Sequence, residues 1–162
     1  MRTLVLYYSN TGNTQKCAEA LAQQLGAELG EITCGAYLRW YGPLAMAWDI
    51  FTRHRPRVDV LTPPGAHYDL TVIGGPVWAA RAAPPVMRAL ADHRQELGRA
   101  GLFVTCRGKD TSSPPEPAIA EMAAQLPGGA VATRIFREAE IRSGEYHDAV
   151  AAFAKALGAK PA

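Results

Sequence analysis

The stretch Leu4-Val5-Leu6-Tyr7-Tyr8-Ser9-Asn10-Thr11-Gly12-Asn13-Thr14-Gln15, continued by Cys17, Ala18, Leu21, Ala22 and Leu25 at helical spacing, decides how this chain is read. A short apolar run, a loop of hydroxyls and amides with one glycine, and an amphipathic run spell strand, tight loop, helix. The first turn of such a helix has backbone N–H groups without intrahelical partners, and the helix dipole adds roughly half a positive charge there. A phosphate group suits that position. Ser9, Thr11 and Thr14 supply O–H donors, Asn10 and Asn13 supply amide donors, and Gly12 permits positive φ or close backbone approach. The loop has no lysine and no G-x-x-x-x-G-K-[ST], which argues against Mg-nucleotide chemistry; the lack of G-x-G-x-x-G argues against a dinucleotide site. The same residues also suit an ordinary βα turn, in which Ser, Thr and Asn cap the first helical amides.

With 162 residues, 48% hydrophobic and 20% charged, the chain is expected to form one globular domain over residues 1–162. No apolar run reaches the roughly 18 residues of a membrane span, and the chain opens in a strand rather than a signal peptide, so a cytoplasmic location is expected. Cys17, Cys34 and Cys106 form no close pair, and His54, His67, His93 and His147 are scattered, so neither a disulfide framework nor a metal site is expected. A formal net charge of +2 is too mild to suggest nucleic acid.

Downstream, Ala27 to Thr33 reads as a weak edge strand. Gly35 to Arg57 carries Tyr37, Trp40, Tyr41, Leu44, Trp48 and Phe51 at helix-like intervals around Gly42-Pro43, and ends in Arg53, His54, Arg55 and Arg57. It reads as a broken helix whose aromatics cover the sheet; the alternative is that some rings lie over a cofactor or in a subunit interface. Asp69 to Gly75 is a near-continuous apolar strand, of the kind buried on both faces of a parallel sheet. Pro76 to Pro85 then forms a proline-stiffened loop around Trp78, and a helix is expected from Pro84 or Pro85 to about Leu97. Ala100 to Cys106 reads as a strand, Arg107 to Pro115 as a loop, Glu116 to Leu126 as a helix, Ala130 to Ile135 as the last strand, and Tyr146 to Leu157 as a closing helix. Five strands alternating with helices predict an α/β fold with a parallel sheet and right-handed crossovers.

The segments S-N-T-G-N-T at 9–14 and V-I-G-G-P-V-W-A-A-R-A-A-P-P-V at 72–86 resemble the phosphate loop and the Trp-bearing flavin loop of the flavodoxin-like, FMN-binding proteins. The element order is similar over nearly the whole chain, and the lack of a long insertion in the last strand resembles the short-chain type. The resemblance implies a doubly wound five-stranded parallel sheet of order 2-1-3-4-5 with helices on both faces, and FMN at the carboxyl edge where the winding reverses. It implies that Ser9, Asn10, Thr11, Gly12, Asn13 and Thr14 hold the phosphate, and that Pro76, Val77, Trp78 and Ala79 line the flavin. Thr105, Cys106, Arg107 and Gly108 would meet its pyrimidine edge through backbone donors, with Asp110 nearby. No catalytic side chain is implied, because the cofactor does the chemistry.

Three departures bear on function. No aromatic stands between Arg107 and Ala118 to cover a second flavin face. Ala79 and Ala80 stand where carrier flavodoxins often have glycine; a turn there into positive φ costs an alanine about 1 kcal/mol, which disfavours the one-electron-reduced flavin. Arg81, Arg107 and Lys109 make the site basic, whereas electron-carrying flavodoxins are typically acidic. Cys106 reads as a small strand-end residue rather than a redox thiol. The leading expectation is an FMN-binding electron-transfer protein serving a redox partner protein. The alternative is an NAD(P)H-dependent quinone-type oxidoreductase using an open flavin face; a second alternative is a flavin-free interaction module. A homodimer through segment 35–57 is also compatible with the sequence.

Overall fold

The computed structural model describes residues 1–62, 68–108 and 113–158. Strands β1 (Thr3–Tyr7), β2 (Glu28–Thr33), β4 (Leu70–Trp78), β6 (Ala100–Cys106) and β7 (Ala132–Arg137) form a parallel array in the order β2-β1-β4-β6-β7. Counting these five strands along the chain, that is the expected order 2-1-3-4-5. Two short additions were not foreseen: β3 (Asp59–Val60) pairs antiparallel with the outer edge of β2, and β5 (Arg81–Ala82) folds back on the end of β4.

Strand alternation sorts the apolar residues into two cores, one on each face of the sheet. Leu4 and Leu6 of β1, Ile73 of β4, and Leu102 and Val104 of β6 meet α3 (Pro84–Asp92) and α4 (Glu116–Ala123). Val5, Tyr7, Val72, Phe103 and Phe136 meet α1 (Asn13–Leu25), α5 (Glu138–Ser143) and α6 (Tyr146–Ala156) on the other face. Strands with apolar residues at every position are therefore needed in the centre, which is why β1 is buried throughout. At Gly74 a Cβ would overlap the Phe103 ring, itself packed edge-on against Phe136 with centroids 5.8 Å apart.

Several boundaries differ from the sequence expectation. α3 stops at Asp92; a turn closed by Leu97 N–H donating to His93 O (3.2 Å) still carries Leu97 into the core. α4 stops at Ala123, with Leu126 buried by the following turn. β7 runs two residues further than expected, in register with β6 to Arg137. It passes straight into α5, whose start is fixed by the Arg137 N–H donating to the Glu140 carboxylate (3.0 Å).

The largest difference is segment 35–57. Gly42-Pro43 does not interrupt a helix; it begins α2 (Gly42–Thr52), with proline in the first turn where its missing N–H costs nothing. Tyr37 packs on the core, but Trp40, Trp48 and Phe51 are exposed, so the aromatics do not cover the sheet.

β4 and β5 are joined by a two-residue turn, Ala79-Ala80, between the pairs Val77↔Ala82 and Trp78↔Arg81. Both alanines have positive φ, 49° and 61°, as a two-residue hairpin turn of type I′ requires. The Ala80 N–H donates to Ser113 Oγ at 2.7 Å, tying the turn to the segment before α4. The sequence reading treats positive φ as a state these alanines would have to enter; the structure holds them there already.

Two stability measurements follow from this packing. Gly74→Ala is expected to lower unfolding stability by about 1–3 kcal/mol in urea titration, because the added Cβ overlaps the fully buried Phe103 ring. Ala80→Gly is expected to be neutral or stabilising by up to about 1 kcal/mol, whereas the same exchange in an ordinary helix or strand costs about 0.5–1 kcal/mol.

Candidate functional site

β1, β4 and β6 run parallel, so the loops after them leave from one edge of the sheet. The loop after β1 turns on Gly12, which is the N-cap of α1 with φ 88°. A Cβ at Gly12 would meet nothing within 4 Å, so the requirement for glycine is conformational rather than steric. The Gly12 N–H donates to Ser9 Oγ at 3.1 Å, which closes the loop on itself.

No side chain caps α1. Its first backbone bond runs from Lys16 N–H to Gly12 O at 3.0 Å, so the amides of Asn13, Thr14 and Gln15 lie ahead of the helical ladder. The alternative in which Ser, Thr and Asn merely cap this helix is therefore not realised. Asn10 and Thr11 are exposed, with Ser9, Gly12 and Asn13 half-buried beside them. No acidic residue stands in the first turn, leaving the positive end of the helix dipole uncompensated.

Thr14 differs from its expected role. Its side chain is buried, and its Oγ1 lies 2.7 Å from Thr105 Oγ1 at the end of β6. The pair joins the first loop to the third through side chains, whereas the sequence reading assigns Thr105 a backbone role alone.

Pro76, Val77 and Trp78 are half-buried at the end of β4, and Ala79 is exposed at the turn. The Trp78 ring packs edge-on against Tyr8 (5.8 Å, 88°) and tilted against Tyr37 (6.2 Å, 48°). Tyr37 donates from its hydroxyl to Asp49 at 2.8 Å, and Asp49 also bonds His54 Nδ1 at 2.7 Å. Burial, and then the Asp49 carboxylate, push the Tyr37 phenol well above its ordinary range; burial pushes Tyr8 up to about 12. Both tyrosines therefore keep their protons throughout the working pH range.

Cys106 and Gly108 follow Thr105. Burial raises the Cys106 thiol above its ordinary range against a smaller opposing pull from Arg137, so it stays protonated and suits the structural role expected of it. Arg137 Nη1 donates to Gly108 O at 2.9 Å. Arg107 is exposed and forms no ion pair among the described residues. Asp110 and Lys109 lie outside the described residues.

The basic character expected of this edge is partly offset. Arg81 is ion-paired with Glu121 of α4, which removes it from the unpaired charge that the sequence suggests. Sequence reasoning missed Asp49, Ser113 and Arg137, which support the loops rather than lie in a motif, and gave Tyr8 no role at the site. A cavity of about 160 Å³ borders Trp78 on the α2 side, with Arg53, Arg55, Arg81 and Met87 in its lining.

No protein-family model matches the chain, and no curated protein matches it. Among solved structures, a flavoprotein from Lactobacillus acidophilus NCFM in complex with FMN is 22% identical, covers 88% of this chain and 97% of its own, and superposes with a TM-score of 0.69. A putative flavoprotein from Bacteroides uniformis is 23% identical over 95% of this chain and 97% of its own, TM-score 0.68. A flavodoxin, WrbA-like protein from Agrobacterium tumefaciens is 16% identical over 98% and 99%, TM-score 0.53. With its strand order, its doubly covered sheet and these likenesses, the chain has the flavodoxin-like fold.

Proposed function

We propose that this chain binds FMN and acts in electron transfer. The observation that carries the reading is the open first turn of α1. Three backbone amides precede the helical ladder, no side chain caps them, and hydroxyl and amide side chains surround them. That donor set suits a phosphate monoester and would be poorly used by a neutral ligand. The L. acidophilus protein of the same fold is described in complex with FMN, which supports the choice of cofactor.

In this reading Ser9, Asn10, Thr11, Gly12, Asn13 and Thr14 hold the phosphate, Thr14 partly through its backbone because its hydroxyl is shared with Thr105. Pro76, Val77, Trp78 and Ala79 line the ring system, with Trp78 braced by Tyr8 and Tyr37. Thr105, Cys106, Arg107 and Gly108 approach the ring edge, and Asp110 stays a candidate from the sequence. Bound FMN supplies one- or two-electron redox chemistry; the chain supplies binding, orientation and charge. Tyr8 and Tyr37, held protonated, are neutral partners of the Trp78 ring.

The cavity beside Trp78 favours a second reading, an NAD(P)H-dependent quinone-type oxidoreductase. About 150 Å³ is room for one aromatic ring, and Arg53 and Arg55 border it together with Asp49 and the Arg81–Glu121 ion pair. Assays of NAD(P)H oxidation with a quinone acceptor separate the two: an electron carrier shows no turnover without an added reductase, and sustained turnover replaces the first reading with the second.

FMN titration followed by flavin fluorescence is the primary test. One equivalent of FMN is expected to bind, and riboflavin, which lacks the phosphate, at least about a hundredfold more weakly; equal affinity for both would remove the phosphate-loop assignment. Gly12→Ala is expected to weaken FMN about tenfold, since an alanine at φ 88° costs about 1–2 kcal/mol. Cys106→Ala is expected to leave the flavin reduction potential unchanged, as a protonated buried thiol carries no charge to the site.

A further inference from the structure

Of the nine large hydrophobic side chains exposed among the described residues, five lie between Leu38 and Phe51. Trp40 is 91% exposed, Phe51 88%, Leu38 83%, Leu44 73% and Trp48 65%. Scattered apolar side chains on a surface need no explanation, but a cluster of this kind marks a contact surface. Leu44, Trp48 and Phe51 are spaced i, i+4, i+7 and so share the outward face of α2. The only charged residue in α2 is Asp49, which is buried on the inward side with Tyr37 and His54.

The ends of this apolar face are cationic. Arg39 precedes α2, and Arg53, Arg55 and Arg57 follow it; Asp49 is the only acidic residue between Cys34 and Val58. None of the four arginines has an ion-pair partner among the described residues. Arg55 reaches Gln125 at 3.4 Å, and Arg39 lies over the Tyr41 ring at 5.6 Å. The face therefore combines exposed tryptophan, phenylalanine and leucine with arginines at both ends; the neighbouring carboxylates are Glu121, paired with Arg81, and Asp59 beyond Arg57.

That charge pattern selects the occupant. A second copy docking through a two-fold axis would bring the same arginines together with no carboxylate of this segment to meet them, at a cost in like-charge repulsion. A surface of anionic headgroups over hydrocarbon meets both parts of the pattern. Arginines pair with the headgroups, and indole and phenyl rings settle at the boundary, where aromatic residues are favoured.

We propose that the outward face of α2, with Leu38 and Trp40 ahead of it, docks on the surface of an anionic lipid bilayer. The contact is peripheral: α2 has 11 residues, and no helix of the described residues is long and apolar enough to cross a membrane. The proposal does not rest on FMN binding, since the residues it uses lie outside the three loops of the candidate site. The inward side of α2 does border that site, through Asp49 and Tyr37 to the Trp78 ring.

The test is co-sedimentation of the full chain with vesicles of phosphatidylcholine, with and without phosphatidylglycerol, at about 0.1 M salt. Binding to the anionic vesicles with a blue shift of tryptophan emission is expected, and at least tenfold weaker binding to phosphatidylcholine alone. Trp48→Ser combined with Phe51→Ser is expected to lose at least tenfold in affinity, and Arg53→Gln and Arg57→Gln roughly fivefold each. Circular dichroism and thermal melting should match the parent, because all four side chains are exposed. The proposal is overturned by failure to sediment with anionic vesicles, by equal binding to both compositions, or by binding that the substitutions leave unchanged. A dimer of the parent that dissociates in the Trp48→Ser, Phe51→Ser variant would also overturn it, assigning the face to a second copy.

Discussion

The structure depends on the burial of its central strands from both sides. β1, β4 and β6 present apolar side chains alternately to α3 and α4 on one face and to α1, α5 and α6 on the other. Neither helical layer could be omitted without exposing half of those side chains to water. Helices on both faces, joined by right-handed crossovers, in turn place one reversal of winding between β1 and β4 and send their following loops past the same edge. The position of the candidate site is thus a consequence of core burial.

Much of this was legible in the sequence because the signals were local and strong. The near-continuous apolar runs at 4–7, 70–73 and 102–104 could be buried on both faces and little else, and a parallel sheet follows from their alternation with helices. The order of the five long strands came from the resemblance rather than from periodicity. Less legible were elements whose stability is borrowed from elsewhere. β3 and β5 are two residues each and exist only as partners of β2 and β4. The start of α5 had a signal, Glu138 and Glu140 in the first turn with Gly144 closing it, in a stretch between Ile135 and Tyr146 to which the sequence reading assigns no element. In segment 35–57 the period was helical as expected, but period alone does not say whether an apolar face meets the sheet or water.

The candidate site divides in the same way. Residues in the two quoted motifs were singled out by the resemblance, and the structure puts the three loops at a common edge. What the sequence could not convey is how the hydrogen bonds are shared. Thr14 and Thr105 are 91 positions apart and meet through their hydroxyls; Ala80 and Ser113, 33 apart, meet through an amide. Arg81 looks like a free cation until the fold brings Glu121 beside it. Such pairings are long-range, and nothing in the neighbouring sequence announces them.

The Ala79-Ala80 turn has a further consequence. Each alanine is held in a backbone region disfavoured by about 1–2 kcal/mol, and neither can relax without disrupting the Val77–Ala82 and Trp78–Arg81 pairs or the bond to Ser113. The backbone beside Trp78 is held by two strand pairs and one side-chain bond at once. An environment that keeps its shape when an electron arrives adds little reorganisation energy to the transfer. Under the proposed electron-transfer role, the strain held in two small residues would limit how far the turn rearranges as the charge of the flavin changes.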